Sequence, residues 1–298
     1  MQILERVRSN VGIGSSSGLM EESVEHRTGM NDHQPMPTRP DSEEPTWPVM
    51  ICLLGNFRLL RDGELVPTRA GGKREALLAQ LALQHDRRVP RERLVQALWP
   101  TSDLSLGSNS LNNLVHNLHK FLSPALQGAP PVLHEDGYYR LNIEAGIGVD
   151  VASFDFLIDT GDRHSRAGDM QAAVRAYRQA ADLYRNDLFL AADAQTIVER
   201  ERLRARYLTV LTQLADHYFR SSDYSTCLDY IWKLLARDPY REDAHRLVMR
   251  CYVRRGERAA ALHQYQVCAD LLRAEFDAAP EPATHALFEQ IRVEPDEV

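Results

Sequence analysis

Two stretches in the second half of the chain repeat each other at an offset of 34 residues. Tyr218, Ser222, Cys227 and Ile231 of "YFRSSDYSTCLDYI" stand where Tyr252, Gly256, Ala261 and Tyr265 stand in "YVRRGERAAALHQY". This is the period of a helix-turn-helix unit that stacks on its neighbours, with small residues where paired helices approach and aromatics filling the groove between units. A weaker unit precedes them, with Gly168, Ala173 and Tyr177 at the same internal spacing, and Asp238-Pro239 closes the first full unit. One hairpin cannot bury its apolar face alone. The region 149–292 is therefore expected to be a stack of three helix pairs and a last helix over "PATHALFEQIR".

The first half follows other periods. Residues 1–48, rich in Ser, Glu, Asp, Pro and Met, read as a disordered leader without assigned function, and 293–298 read as a tail. From Val49, "VMICLLGNFRLLRDGELVPT" alternates apolar runs with Gly-Asn and Asp-Gly turn signals, which predicts two or three antiparallel strands. "GGKREALLAQLALQH" switches to a helical period with Leu77, Leu78 and Leu81 on one face, and "VPRERLVQALWP" predicts a second helix between Pro90 and Pro100. A loop, "PTSDLSLG", leads to a third helix, "SLNNLVHNLHKFL", and "PPVLHEDGYYRLNI" predicts a hairpin around Asp136-Gly137. Strands, three helices and a terminal hairpin in that order describe a winged helix-turn-helix over 49–148. The expected fold is mainly α with a small β component: that winged helix, then an α-helical tetratricopeptide-like repeat domain.

The third helix has an unusual polar face. Leu111, Leu114, Val115, Leu118 and Leu122 form an apolar sector, while Asn113, His116, Asn117 and Lys120 gather opposite, with Asn112 and His119 on the flank. Solvated faces use Glu and Lys, which favour helix and pair at i,i+4; Asn is a poor helix former. The chain carries a net charge of −7, yet residues 49–143 hold 11 basic against 8 acidic side chains and four histidines. The unusual helix thus lies in a net-positive segment, as a nucleic-acid partner requires.

Taken together, "GGKREALLAQLAL", "VPRERLVQALWP", "NSLNNLVHNLHKFL", "EDGYYRLN", "GDMQAAVRAYRQAADLY" and "ARDPYREDAHRLVMRCYVRRGERAAALHQYQ" make the chain resemble the SARP-like regulators. In these an OmpR-type winged helix precedes a bacterial transcriptional activation domain of tetratricopeptide type, and the resemblance covers roughly Val49 to Arg292. It implies a sequence-specific DNA-binding transcriptional activator that binds promoter repeats and recruits RNA polymerase, and it leaves a dimer on DNA open. A cytoplasmic protein is expected because the sequence has no signal-peptide core and no membrane-spanning run. One departure is visible: the family's third helix usually ends in two or three arginines, and this chain has "HNLHK".

Residue roles follow from that placement. In the major groove, Asn109, Asn112, Asn113, His116, Asn117 and Lys120 are the candidates for base readout, because amides pair with adenine and imidazole or ammonium groups reach guanine acceptors. Lys73, Arg74, Arg91, Arg93, Tyr139 and Arg140 are the candidate phosphate contacts. The resemblance further implies that the loop between the second and third helices, with Asp103, Leu104 and Leu106, touches RNA polymerase.

Other classes find little support. The sequence contains no GxxxxGK[ST], GxGxxG or HExxH motif, and no GxSxG beyond the leader, so neither catalysis nor a cofactor is expected. Cys52, Cys227, Cys251 and Cys268 are scattered and read as reduced core residues rather than a metal site. There is no apolar run of membrane-spanning length, and no receiver, ATPase or forkhead-associated domain is expected. The alternative is a scaffold whose repeat domain grips a peptide or small effector in its concave face, with "VERERLRARY" or "RCYVRRGER" facing the partner and the winged helix as a protein-interaction module.

Overall fold

A computed structural model describes residues 47–67, 71–101, 103–188 and 194–295, side chains of 194 and 195 excepted. The leader expected over 1–48 lies outside them apart from Trp47 and Pro48.

Three strands open the described chain: β1 (Val49–Cys52), β2 (Arg58–Arg61) and β3 (Glu64–Val66), paired antiparallel. The tight β2–β3 turn places Asp62 and Gly63 at φ of 51° and 83°, as the two-residue turn suited to twisted strands requires. Then come α1 (Lys73–Leu83), the short β4 (Val89–Pro90), α2 (Arg91–Leu98) and α3 (Leu104–Leu122). A hairpin of β5 (Val132–Glu135) and β6 (Tyr138–Leu141) turns at Asp136-Gly137, again with φ positive at both, and β4 joins it in the order β4-β6-β5. This is the wing. Leu77, Leu78, Leu81, Leu94, Leu98, Leu111, Leu118 and Leu122 form the core beneath the three helices.

The last strand was not expected. β7 (Ile147–Val149) pairs in parallel with β1, completing a sheet of order β3-β2-β1-β7. The division expected between residues 148 and 149 therefore falls inside a strand of the first sheet. Directly after it begins α4 (Asp150–Arg166).

The repeats are α4 with α5 (Met170–Leu183), α6 (Ala194–Arg220) with α7 (Tyr224–Leu235), and α8 (Glu242–Arg254) with α9 (Arg258–Phe276), closed by α10 (Pro282–Val293). The sequence repeat has a direct structural meaning. Gly168, Ser222 and Gly256 each take the left-handed conformation in the turn, and five residues on, Ala173, Cys227 and Ala261 are fully buried where the helices of a pair meet. Asp169 and Asp223 cap the second helix of their pairs by accepting the N–H of Ala172 and Thr226. In α4, Gly161 leaves room for Tyr177; a Cβ there would lie 2.4 Å from its ring.

Much of the charge in "VERERLRARY" is internal to the stack: Arg202 and Arg206 of α6 both hold Asp155 of α4 at 2.7 Å. In "RCYVRRGER", Arg258 donates to the Ile291 carbonyl at 3.0 Å and secures the end of α10. All four cysteines are buried free thiols, and burial pushes those of Cys52 and Cys268 up to about 11. Among the described residues no helix is long and apolar enough to cross a membrane.

Candidate nucleic-acid interface

The third helix begins earlier than its sequence suggests. Asp103 accepts the Ser105 N–H at 3.1 Å, a cap that starts α3 at Leu104, so Leu104 and Leu106 lie on its first turn and not in a loop. They stand out from it, 56% and 66% exposed. Gly107 explains how a helix can run here: a Cβ at that position would lie 2.3 Å from Cγ1 of Val95 on α2. Only the absence of a side chain lets α2 and α3 approach this closely.

Beyond that crossing, Leu111, Leu118 and Leu122 anchor α3 to the core. Asn109, Asn112, Asn113, His116, Asn117 and Lys120 are all exposed. At about 100° per residue they span an arc of roughly 140°. The face is thus continuous, rich in hydrogen-bonding groups and free of carboxylates. His119, on its edge, is half-buried.

The expected phosphate contacts divide. Arg93 is exposed on α2, and Arg74, half-buried, lies 4.6 Å from the Phe121 ring. Lys73 is exposed, but its ammonium donates to the Leu98 carbonyl at the end of α2 and lies 5.8 Å from the Trp99 ring. It therefore serves the C-terminus of α2, where a cation is favoured. Arg140 pairs with Glu144 at 3.2 Å. Tyr139 is the clear departure. It is only 1% exposed, out of reach of a phosphate, because strand alternation turns it inward with Leu141 while Tyr138 faces out. Its hydroxyl donates to Oδ1 of Asn112 at 3.3 Å, and burial raises its pKa above the usual phenol value.

The wing is held against α2 and α3 by more than its core. The Arg91 N–H donates to the Gly137 carbonyl at 2.9 Å, and the Arg91 guanidinium lies 3.0 Å from Nε2 of His134. His134 in turn stacks on Tyr139, ring centroids 4.3 Å apart. Sequence reasoning missed His134, although the Asp136-Gly137 hairpin sets His134 directly across from Tyr139. Among the described residues, no group of three His, Cys, Asp or Glu side chains is arranged to hold a metal ion.

Residues 149–292 match the bacterial transcriptional activator domain. Regulatory protein AfsR of Streptomyces coelicolor is 28% identical over 261 residues, 87% of this chain; the chain spans about a quarter of that relative, 26%. Transcriptional regulatory protein MoaR1 of Mycobacterium tuberculosis is 26% identical over 252 residues, 82% of this chain and 79% of MoaR1. The structure of Mycobacterium tuberculosis EmbR, solved in complex with a low-affinity phosphopeptide, superimposes with a TM-score of 0.68 at 24% identity, over 83% of this chain and 65% of that one. That likeness is one of fold. With the repeat domain matched, and with AfsR and MoaR1 each similar over more than four fifths of this chain, the chain is similar to the SARP-type transcriptional regulators.

Proposed function

We propose that the protein is a cytoplasmic, sequence-specific DNA-binding transcriptional activator without enzymatic activity, organised as a winged helix over 49–148 and a repeat domain over 149–292. The observation that carries this reading is the outer face of α3, where six exposed amide, imidazole and ammonium side chains stand together without a carboxylate among them. Such a face suits the major groove, where each base pair presents its own set of donors and acceptors. Arg93, Arg74 and Lys120 supply cations around it for the phosphates. The first turn of α3, with Leu104 and Leu106 outward, is the proposed contact with RNA polymerase, and two copies occupy repeated half-sites. Nothing of comparable specificity favours a peptide-binding scaffold.

An electrophoretic mobility shift with duplexes from the gene's own promoter region and from random sequence, at low and moderate salt, tests the reading. A shift that survives moderate salt on one promoter sequence and not on random DNA is the expected result. No shift, or one without sequence preference, refutes it.

A further inference from the structure

Three elements of the winged helix meet at one phenol. Tyr139 is buried beneath the wing, its ring stacked on His134 with planes 21° apart and the Arg91 guanidinium 5.7 Å from its centroid. Its hydroxyl lies 3.3 Å from Oδ1 of Asn112, which is exposed on α3. A guanidinium carries donors only. His134 Nε2, 3.0 Å from Arg91, therefore accepts. The phenol donates its proton to Asn112, and a donated proton selects the oxygen of the amide rather than its nitrogen. With the Asn112 carbonyl engaged by the phenol, its NH2 group is the part of the amide left for a ligand, on the exposed face that Asn112 shares with Asn109, Asn113 and His116.

An unrestrained asparagine presents donor and acceptor side by side, which matches N7 and N6 of adenine; a guanine edge presents two acceptors, N7 and O6. We infer that Tyr139 is a positioning residue that locks Asn112 as a donor, so that the recognition helix favours guanine over adenine at the base pair facing Asn112. The inference rests on the DNA-binding reading above and deepens it. Asn113 and Asn117 have no such partner described and keep the ordinary amide code, so two kinds of asparagine readout occur on one helix face.

Selection from a randomised duplex library, with the full chain as wild type, Tyr139→Phe and Asn112→Ala, tests this. The wild type is expected to select a motif with guanine at one position that Asn112→Ala relaxes. Tyr139→Phe keeps the ring and loses the hydroxyl; it should lower the guanine preference at that same position by about tenfold, the size of one specific base contact. The rest of the motif, the affinity for random DNA and the salt dependence should stay as in wild type. An unchanged motif in Tyr139→Phe, a uniformly weakened one, or relaxation at a different position overturns the inference while leaving DNA binding intact. A wild type that selects no motif overturns the DNA-binding reading itself. Should Tyr139→Phe fold poorly, Asn112→Asp carries the test, since it keeps an acceptor for the phenol and removes the outward donor. Loss of the guanine preference supports the inference, and its retention overturns it.

Discussion

Asp150 and Leu53 join the two halves of the molecule: Oδ1 of the buried carboxylate at the start of α4 accepts the Leu53 N–H at 2.7 Å, and Oδ2 accepts that of Leu54 at 2.9 Å. Leu53 and Leu54 follow β1 directly, and Asp150 follows β7, the strand paired with β1. Removing the carboxylate strands two buried N–H groups, each at about 1 to 3 kcal/mol. Asp150→Ala should therefore lower the unfolding free energy by at least about 2 kcal/mol, measured by urea denaturation of the full chain. A change below about 0.5 kcal/mol would show that water or a neighbouring carbonyl takes over these groups.

The same carboxylate makes stability depend on pH. Burial raises the Asp150 pKa from 3.8 to about 6 against the pull of its backbone hydrogen bonds. Between those values the folded chain binds a proton that the unfolded chain has released, so this group's contribution to stability falls as pH rises from about 4 through 6. The difference is on the order of 2 to 3 kcal/mol. Asp150→Asn, which cannot ionise, should lack that component. Subtracting its urea-derived stability from that of wild type across pH 4.5 to 7.5 isolates it, and a flat difference refutes the assignment.

Gly107 and Val95 set how closely α2 and α3 cross. A methyl at residue 107 meets Val95 Cγ1 at 2.3 Å, so Gly107→Ala should cost roughly 1 to 3 kcal/mol, as overpacking does. In Gly107→Ala/Val95→Ala the space is restored, and the double mutant should be more stable than the sum of the single changes allows. Additive losses in a double-mutant cycle of thermal denaturation would place the cost in helix propensity or elsewhere.

On α3, Asn113 and Lys120 should separate two kinds of contact. Asn113→Ala is expected to cost about 1 to 3 kcal/mol on the selected site and much less on random DNA. Lys120→Gln should reduce the slope of log affinity against log salt by about one if the ammonium meets a phosphate, with similar losses on all sequences. Lys73→Met is expected to behave differently from both. Its ammonium is held by the Leu98 carbonyl, so the substitution should lower thermal stability and leave the salt slope almost unchanged. A slope reduced by a full unit would restore Lys73 to the phosphate contacts.

What could be read from the sequence was what local rules govern. The wing turn followed from Asp136-Gly137, whose φ values of 49° and 81° few other pairs tolerate. The helix pairs followed from small residues five positions after each turn, and the outer face of α3 from its spacing. The misses have other causes. "DLSLG" resembles a loop because Ser and Gly are poor helix formers, but an Asp103 cap and a Gly107 contact with Val95, neither visible along the chain, make it helix. β7 is three residues long and finds its partner about a hundred residues away, where no local pattern points. Tyr139 was legible in principle: two residues before the apolar Leu141 on one strand, it had to face inward.

The first turn of α3 also changes how recruitment of polymerase can be tested. Asp103→Arg would add a positive charge at the start of α3, but Asp103 caps that helix through Ser105, and losing a cap costs about 1 kcal/mol. A loss of activity would then mix a weakened helix with a lost contact. Leu104 and Leu106 avoid this, because they are 56% and 66% exposed and the cap does not depend on them. Leu104→Ser/Leu106→Ser should leave stability within about 0.5 kcal/mol of wild type, as surface substitutions do, and leave promoter affinity unchanged. If these leucines meet RNA polymerase, transcription from the bound promoter in a purified system should fall several-fold, since apolar groups in the centre of an interface dominate its energetics. Parallel loss of affinity and transcription would mean that the turn supports the rest of α3. Full transcription at unchanged affinity would move the polymerase contact to the repeat domain.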